Sequence, residues 1–327
     1  MTRVAAVDCG TNTIRLLVAD LTREETGRPR LEPLRRRNEI VRLGQGVDRT
    51  GRLDPAALER TLAAVEGYAA DCAELGVEPG RGARRFVATS ATRDARNRED
   101  FAAGVRSLLG VDPEVVSGQE EAHLSFAGSL LGARGTDDGG APRLVVDLGG
   151  GSTELVLGVD APAAAISLNT GSVRITERYL ADGVTPAAEA AARAEVRGLL
   201  DRAAQAVNLA ATGRLVGLAG TITTVTAHAL GLADFDAEAI DGAELAVGAA
   251  LASCDAIVHS TAAERESWAY LRPGRRDVIA AGALVWSEVI SRVVAETTAA
   301  GRPLAAAVTS LHDILDGIAL SLAVPVP

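Results

Sequence analysis

The chain has 327 residues, 47% of them hydrophobic and 23% charged, with a formal net charge of −10. Aromatic residues make up only 3%, which argues against a base-stacking platform, and the acidic balance argues against a non-specific nucleic-acid partner. A polyanionic substrate stays compatible, because a local arginine cluster with a divalent cation reverses the potential inside a cleft.

All 33 basic residues are arginine, so a Walker-type P-loop and Schiff-base chemistry both lack their lysine. Cys9, Cys72 and Cys254 show no CxxC spacing and read as reduced, buried thiols. The N-terminus opens on a strand without a signal-peptide core, and no charge-free apolar run reaches membrane-spanning length. These features predict a cytoplasmic protein with no membrane partner. At ~150 residues per domain, the length predicts two domains.

In chain order, Val4–Val18 reads as strand, Asp-x-Gly turn, strand, followed by a third strand at Leu31–Arg37 and a glycine-marked loop over Val41–Val47. Asp54-Pro55 is an N-cap followed by Pro at N1, opening a helix with Leu58, Leu62, Val65 and Ala69 on one face. A strand at Arg85–Ala88, a polar loop Thr89–Asp94, a helix over Glu99–Leu109 and a strand at Glu114–Val116 follow. Ser117 and Glu120 have capping-box spacing at the start of the next helix. Gly132–Pro142 is the most linker-like stretch, and a second strand–turn–strand begins at Leu144. Thr185-Pro186 starts a helix to about Leu209, and Leu215–Thr221 reads as strand, tight glycine turn and helix. A final strand, Ala305–Val308, precedes a last helix near Leu311–Leu320, with His312-Asp313 placed inside it. Strands alternating with helices predict an α/β fold, and the early hairpins make its sheets mixed.

The two hairpins are versions of one another: Asp8 matches Asp147, Gly10 matches Gly149, and Thr13 matches Ser152. Turns without Cβ atoms let backbone N–H groups converge on phosphate oxygens. This makes Gly10, Thr11, Asn12, Gly149, Gly150, Gly151 and Ser152 candidate phosphate ligands, with strand-end Asp8 able to hold a metal or a water. Glycine and aspartate are also ordinary hairpin residues; the duplication favours phosphate binding. Asp147 and Glu154, seven apart across the turn, suit one Mg²⁺ through oxygen ligands. Gly220 and Thr221 open a helix whose N-terminal dipole suits a phosphate. Arg93 follows a strand and a polar turn, where a guanidinium meets phosphate bidentately. Arg272–Arg276 suits guidance of a polyanion or an exposed loop equally. His123, His228, His259 and His312 lack metal-ligand spacing.

Together these motifs resemble the exopolyphosphatase and guanosine pentaphosphate phosphatase (Ppx/GppA) family, within the actin, sugar-kinase and Hsp70-like superfamily. The matching segments are Asp8–Thr13, Thr89–Arg93, Ser117–Ala122, Asp147–Glu154 and Gly217–Thr221, in the family's order. The first turn reads Asp-Cys-Gly-Thr-Asn-Thr where members look more like Asp-Leu-Gly-Ser-Asn-Ser, and His123 stands where many carry arginine. The chain resembles the short form that lacks an appended HD-type domain.

The resemblance implies two duplicated ribonuclease-H-like domains, 1–125 plus 310–327 and 126–309, around a cleft. It implies Mg²⁺, with Mn²⁺ as the alternative, at Asp147 and Glu154, with Asp8 a further metal candidate from its strand-end position, and Glu121 as the general base with Arg93 beside the substrate. The implied substrates are inorganic polyphosphate and pppGpp, the latter linking the chain to the stringent response; a homodimer rests on the resemblance alone. Two other readings stand beside the hydrolase. A superfamily kinase would use an aspartate base in the second half, and a non-catalytic alarmone or polyphosphate sensor would not need Glu121, Asp147 and Glu154 together.

Overall fold

Each glycine hairpin opens a sheet. The computed structural model describes residues 2–24, 29–80, 82–132 and 140–323, so most of the predicted linker lies outside the described residues. The chain divides into two compact units, Met1–Gly128 with Ile314–Pro327, and Ser129–Asp313.

In the first unit, β1 (Thr2–Cys9) pairs antiparallel with β2 (Thr13–Arg23), and β2 with β3 (Pro29–Ile40). On its other side β1 pairs in parallel with β4 (Arg84–Ala88), and β4 with β5 (Glu114–Val115). The order is therefore β3-β2-β1-β4-β5. α1 (Val47–Thr50) and α2 (Pro55–Glu74) link β3 to β4, α3 (Ser90–Asp94) and α4 (Arg98–Leu109) link β4 to β5, and α5 (Gly118–Gly132) follows.

The second unit repeats this plan. β6 (Arg143–Leu148), β7 (Thr153–Gly158) and β8 (Pro162–Leu168) form the antiparallel side. β9 (Arg214–Leu218) joins β6 in parallel, β10 (Glu244–Ala246) lies on the far edge, and β11 (Ala306–Thr309) lies between β9 and β10. Read from β8, this order matches the first sheet with one extra edge strand. α6 (Ser172–Ile175) runs into a π-turn over Thr176–Leu180, then α7 (Pro186–Ala206) leads to β9. α8 (Ala219–Ala229), α9 (Ala237–Ile240), α10 (Val247–Val258), α11 (Ala262–Ser267) and α12 (Ile279–Ala299) follow, and α13 (Ile314–Ser321) belongs to the first unit. Two mixed sheets with helices confirm the expected α/β class. No helix among the described residues is long and apolar enough to cross a membrane.

Sheet one is covered on both faces, and the pleat sorts its residues between them. Ala5, Val7, Cys9, Ile14, Leu16 and Val18 join the core under α2 and α4. Val4, Ala6, Leu17, Ala19 and Leu21 face the opposite way, toward Ile314, Leu315 and Ile318 of α13. Opposite Val18 and Ala19 the register skips Leu34 of β3, a bulge in the long β2–β3 ribbon.

Several local expectations shift. The buried stripe of α2 is Ala57, Thr61, Ala64, Val65, Tyr68 and Cys72, with Leu58 and Leu62 at its margin, and the Tyr68 hydroxyl donates to the Ile14 carbonyl at 3.0 Å. Thr89–Asp94 is not a loop: Ser90–Asp94 forms a helical turn, with Arg93 N–H donating to the Thr89 carbonyl. His312-Asp313 precedes the last helix rather than lying in it, since the Ser310 hydroxyl accepts from His312 N–H and holds that segment as a turn. Asp54 and Thr185 cap α2 and α7 as expected.

α13 and α5 are stitched to the first sheet and to each other. Arg36 on β3 reaches the buried Asp316 at 2.6 Å, while Arg85 on β4 donates to Ser321 and to Glu120, each at 2.8 Å. Glu120 N–H also donates to the Ser117 hydroxyl, so one half of the expected capping box forms while the Glu120 carboxylate turns to Arg85. Gly317 lies so close to α5 that a Cβ there would stand 1.9 Å from the Leu124 carbonyl oxygen. Gly317→Ala is therefore expected to cost about 1–3 kcal/mol in urea unfolding, the usual range for overpacking. An unchanged midpoint would mean that α13 does not rest on α5.

Candidate functional site

Both hairpin turns close in the same way. Gly10 N–H donates to the Thr13 carbonyl at 2.9 Å, and Gly149 N–H to the Ser152 carbonyl at 3.0 Å. The registers that result set Asp8 opposite Arg15 and Asp147 opposite Glu154. Residues directly opposite on antiparallel strands carry their side chains on one face, close enough to interact. The two turns therefore share a backbone plan and differ in charge.

In the first unit, Arg15 Nε and Nη2 donate to Asp8 Oδ2 at 2.9 and 2.6 Å. Asp8 is 5% exposed and the Arg15 side chain 17% exposed. Asp8, expected as a metal ligand, thus meets a guanidinium, which repels a second cation from the same carboxylate. The pairing follows from the register: the seventh residue after Asp8 is an arginine. Cys9 is buried beside it; burial, and then the Asp8 charge, push its thiol well above the ordinary range. It is a core residue, not a nucleophile.

In the second unit the same register position is Glu154, 1% exposed, against Asp147 at 8%. Ser167, the partner of Glu154 on β8, donates to Glu154 Oε1 at 2.7 Å. Two buried carboxylates side by side repel one another and favour a hard cation with oxygen ligands. The donor set fits Mg²⁺ with retained waters. No group of three or more His, Cys, Asp or Glu suited to a metal occurs among the described residues.

The remaining first-unit residues gather at the carboxyl ends of parallel strands, where open α/β sheets bind ligands. Thr89 N–H donates to the Cys9 carbonyl and Val116 N–H to the Ala88 carbonyl, which bring the Gly10 turn, α3 and the start of α5 into line. Glu121 sits in the first turn of α5, 7% exposed, its N–H on the Ser117 carbonyl. Arg93 Nη1 donates to the Val116 carbonyl at 2.9 Å and to Glu121 Oε2 at 3.3 Å. The structure therefore joins Arg93 and Glu121, and gives Arg93 a carboxylate to hold as well as the phosphate role read from sequence.

Gly220 and Thr221 stand next to the Gly149 turn, because β6 and β9 pair in parallel with Asp147 beside Leu218. β9 passes into α8 without a loop, at the cost of a left-handed Ala219 with φ 73°. Such strain costs of order 1–3 kcal/mol and clusters at functional sites. The Thr221 side chain packs against Gly282 of α12. Arg275, from the arginine run read as a polyanion guide or an exposed loop, also arrives here: its guanidinium lies over Gly220, with Nη1 1.2 Å from where a Cβ would stand. Its run of arginines was visible, but its target comes only from the tertiary fold. The histidines make local contacts: His228 Nδ1 bonds Ser253 at 2.9 Å, and His259 Nε2 lies 3.1 Å from Glu189.

Two sheets of matching order, each with a glycine hairpin and acidic residues at the carboxyl ends of its parallel strands, define a duplicated α/β protein. The chain belongs to the Ppx/GppA phosphatase family, whose profile matches residues 21–299. It is 44% identical over 329 residues to Exopolyphosphatase 2 of Mycobacterium tuberculosis, covering 99% of each chain. Among solved structures, an exopolyphosphatase-like protein superposes with a TM-score of 0.89 at 41% identity over 98% of both chains. The Aquifex aeolicus Ppx/GppA family member gives 0.75 at 25% identity, covering 98% of this chain and 97% of its own.

The Asp8–Arg15 pair is testable by a double-mutant cycle. Arg15→Met strips Asp8 of its principal cation and is expected to cost about 3–5 kcal/mol, the range for breaking a buried pair. Asp8→Asn in the same chain should recover much of that loss. Additive effects would show the two side chains to be uncoupled.

Proposed function

We propose that this chain is an exopolyphosphatase, hydrolysing the terminal phosphoanhydride of inorganic polyphosphate with Mg²⁺ or Mn²⁺. The observation that carries the chemistry is the Asp147–Glu154 pair, two buried carboxylates facing one another beside a glycine turn. The substrate is supported by the full-length likeness to Exopolyphosphatase 2. The 5′ γ-phosphate of pppGpp ends in the same anhydride and is the second substrate of this reading. A cytoplasmic location and a homodimer accompany it by family resemblance.

Phosphoryl transfer asks the protein for positioning and charge neutralisation more than for covalent chemistry. Asp147 and Glu154 would hold the cation, which when bound draws charge from the phosphoryl oxygens. The amides of the Gly149–Ser152 turn and the start of α8 bind phosphate, with Arg275 adding a guanidinium beside Gly220. Glu121 takes a proton from the attacking water. The water oxygen forms a bond to the terminal phosphorus as the bridging P–O bond breaks, and the shortened chain leaves. Arg93 keeps the Glu121 carboxylate oriented and is available to a phosphate oxygen.

The test is phosphate release with Mg²⁺ from short-chain polyphosphate, long-chain polyphosphate and pppGpp, by wild type and Glu121→Gln. Wild type should release phosphate, and the variant should fall by roughly 10²–10⁴-fold, the usual worth of a general base, while still binding polyphosphate. A variant close to the wild-type rate removes Glu121 from that role. Binding of all three without release points to a sensor. ATP consumption that requires a small acceptor points to a kinase.

A further inference from the structure

Carbonyl groups of both glycine turns are held by donors that follow the third strand of each sheet. In the first unit, Gly44 N–H donates to the Thr11 carbonyl at 2.8 Å, while Val41 and Arg42 N–H share the Asn12 carbonyl at 3.0 and 2.9 Å. Arg42 accepts a left-handed φ of 52° to make that approach. In the second unit, Ser172 N–H donates to the Gly149 carbonyl at 3.0 Å, and Val173 and Arg174 N–H donate to the Gly150 carbonyl at 2.9 and 3.1 Å. The last carbonyl, of Gly151, is taken by a side chain: Arg174 Nε donates to it at 2.8 Å.

A trans peptide points its C=O and its N–H in opposite directions. Holding the carbonyls of Gly149, Gly150 and Gly151 therefore aims the N–H groups of Gly150, Gly151 and Ser152 to the other side, as one convergent set. The amides at the start of α6 are occupied by these carbonyls. Gly171 permits the close approach: a Cβ there would stand 2.6 Å from the Gly150 oxygen and 2.7 Å from that of Gly149. The duplication supplies an internal comparison. Asn12 corresponds to Gly151, and what two backbone amides do for Asn12 a single guanidinium does for Gly151.

We infer that Arg174 is a positioning residue for the phosphate-binding turn: it fixes the Gly151–Ser152 peptide so that the Ser152 N–H faces the phosphate. This rests on the exopolyphosphatase reading for its activity readout, and on the turn geometry for its structural one. The side chain touches the turn rather than the reacting atoms, so its loss acts through the amide set. Misplacing such a set by about an ångström lowers turnover roughly 10²-fold.

The experiment compares wild type, Arg174→Ala and Arg174→Lys for kcat and KM on polyphosphate, for thermal midpoint, and for the ¹⁵N–¹H shifts of Gly150, Gly151 and Ser152 during titration with tripolyphosphate. Arg174→Ala should lose roughly 10²-fold in kcat with a much smaller change in KM. Its Ser152 amide should move before ligand is added, and the three amides should no longer respond together to tripolyphosphate. Arg174→Lys, which keeps a donor within reach of the Gly151 carbonyl, should recover part of the rate. Wild-type kcat in Arg174→Ala, or a Ser152 amide that stays in place, overturns the inference. So does a rate loss that merely follows the thermal midpoint in both variants. If wild type releases no phosphate, the functional reading fails, and the tripolyphosphate titration of wild type against Arg174→Ala alone decides the positioning role.

Discussion

The hydrogen bond from Gly149 N–H to the Ser152 carbonyl, with its counterpart from Gly10 to Thr13, sets the register on which each half of the molecule depends. Side chains alternate along a strand, so a slip of one residue would exchange core and surface throughout both hairpins. With the turn closed at this position, β1 and β6 place apolar residues into their cores and leave one aspartate each at the strand end. Parallel neighbours then bring α3, α5 and α8 to the same edges.

Charge, not backbone, separates the two copies. One register position holds Arg15 in the first hairpin and Glu154 in the second. The first turn carries its own counter-ion. The second concentrates two carboxylates away from water, where burial makes their mutual repulsion costly. In the proposed reading, a divalent cation would relieve that repulsion and supply charge to the phosphoryl oxygens. One register position thus carries a guanidinium in one copy and a carboxylate in the other.

What the sequence disclosed was local chemistry. Asp54-Pro55 and Thr185-Pro186 mark helix starts because capping involves only the next few residues. The hairpins are legible because strand, glycine and strand are contiguous. The order of motifs around Ser117–Ala122 and Asp147–Glu154 was enough to suggest the family. Roles that depend on distant contacts were not legible. Arg275 approaches Gly220 only because α12 packs beside α8, and Arg174 reaches Gly151 only because the chain leaving β8 turns back beneath the hairpin. Asp8 shows an intermediate case: its pairing with Arg15 follows from the same seven-residue spacing that relates Asp147 to Glu154. Periodicity likewise does not reveal the partner of the Tyr68 hydroxyl on α2, a carbonyl on β2.

The central claim is that the second hairpin, and not the first, holds the cation. The most direct measurement is Mn²⁺ binding followed by electron paramagnetic resonance in wild type, Asp8→Asn and Glu154→Gln. The account predicts one site in wild type, retained in Asp8→Asn and lost or greatly weakened in Glu154→Gln. A site that survives in Glu154→Gln, or that disappears in Asp8→Asn with the fold intact, would contradict it.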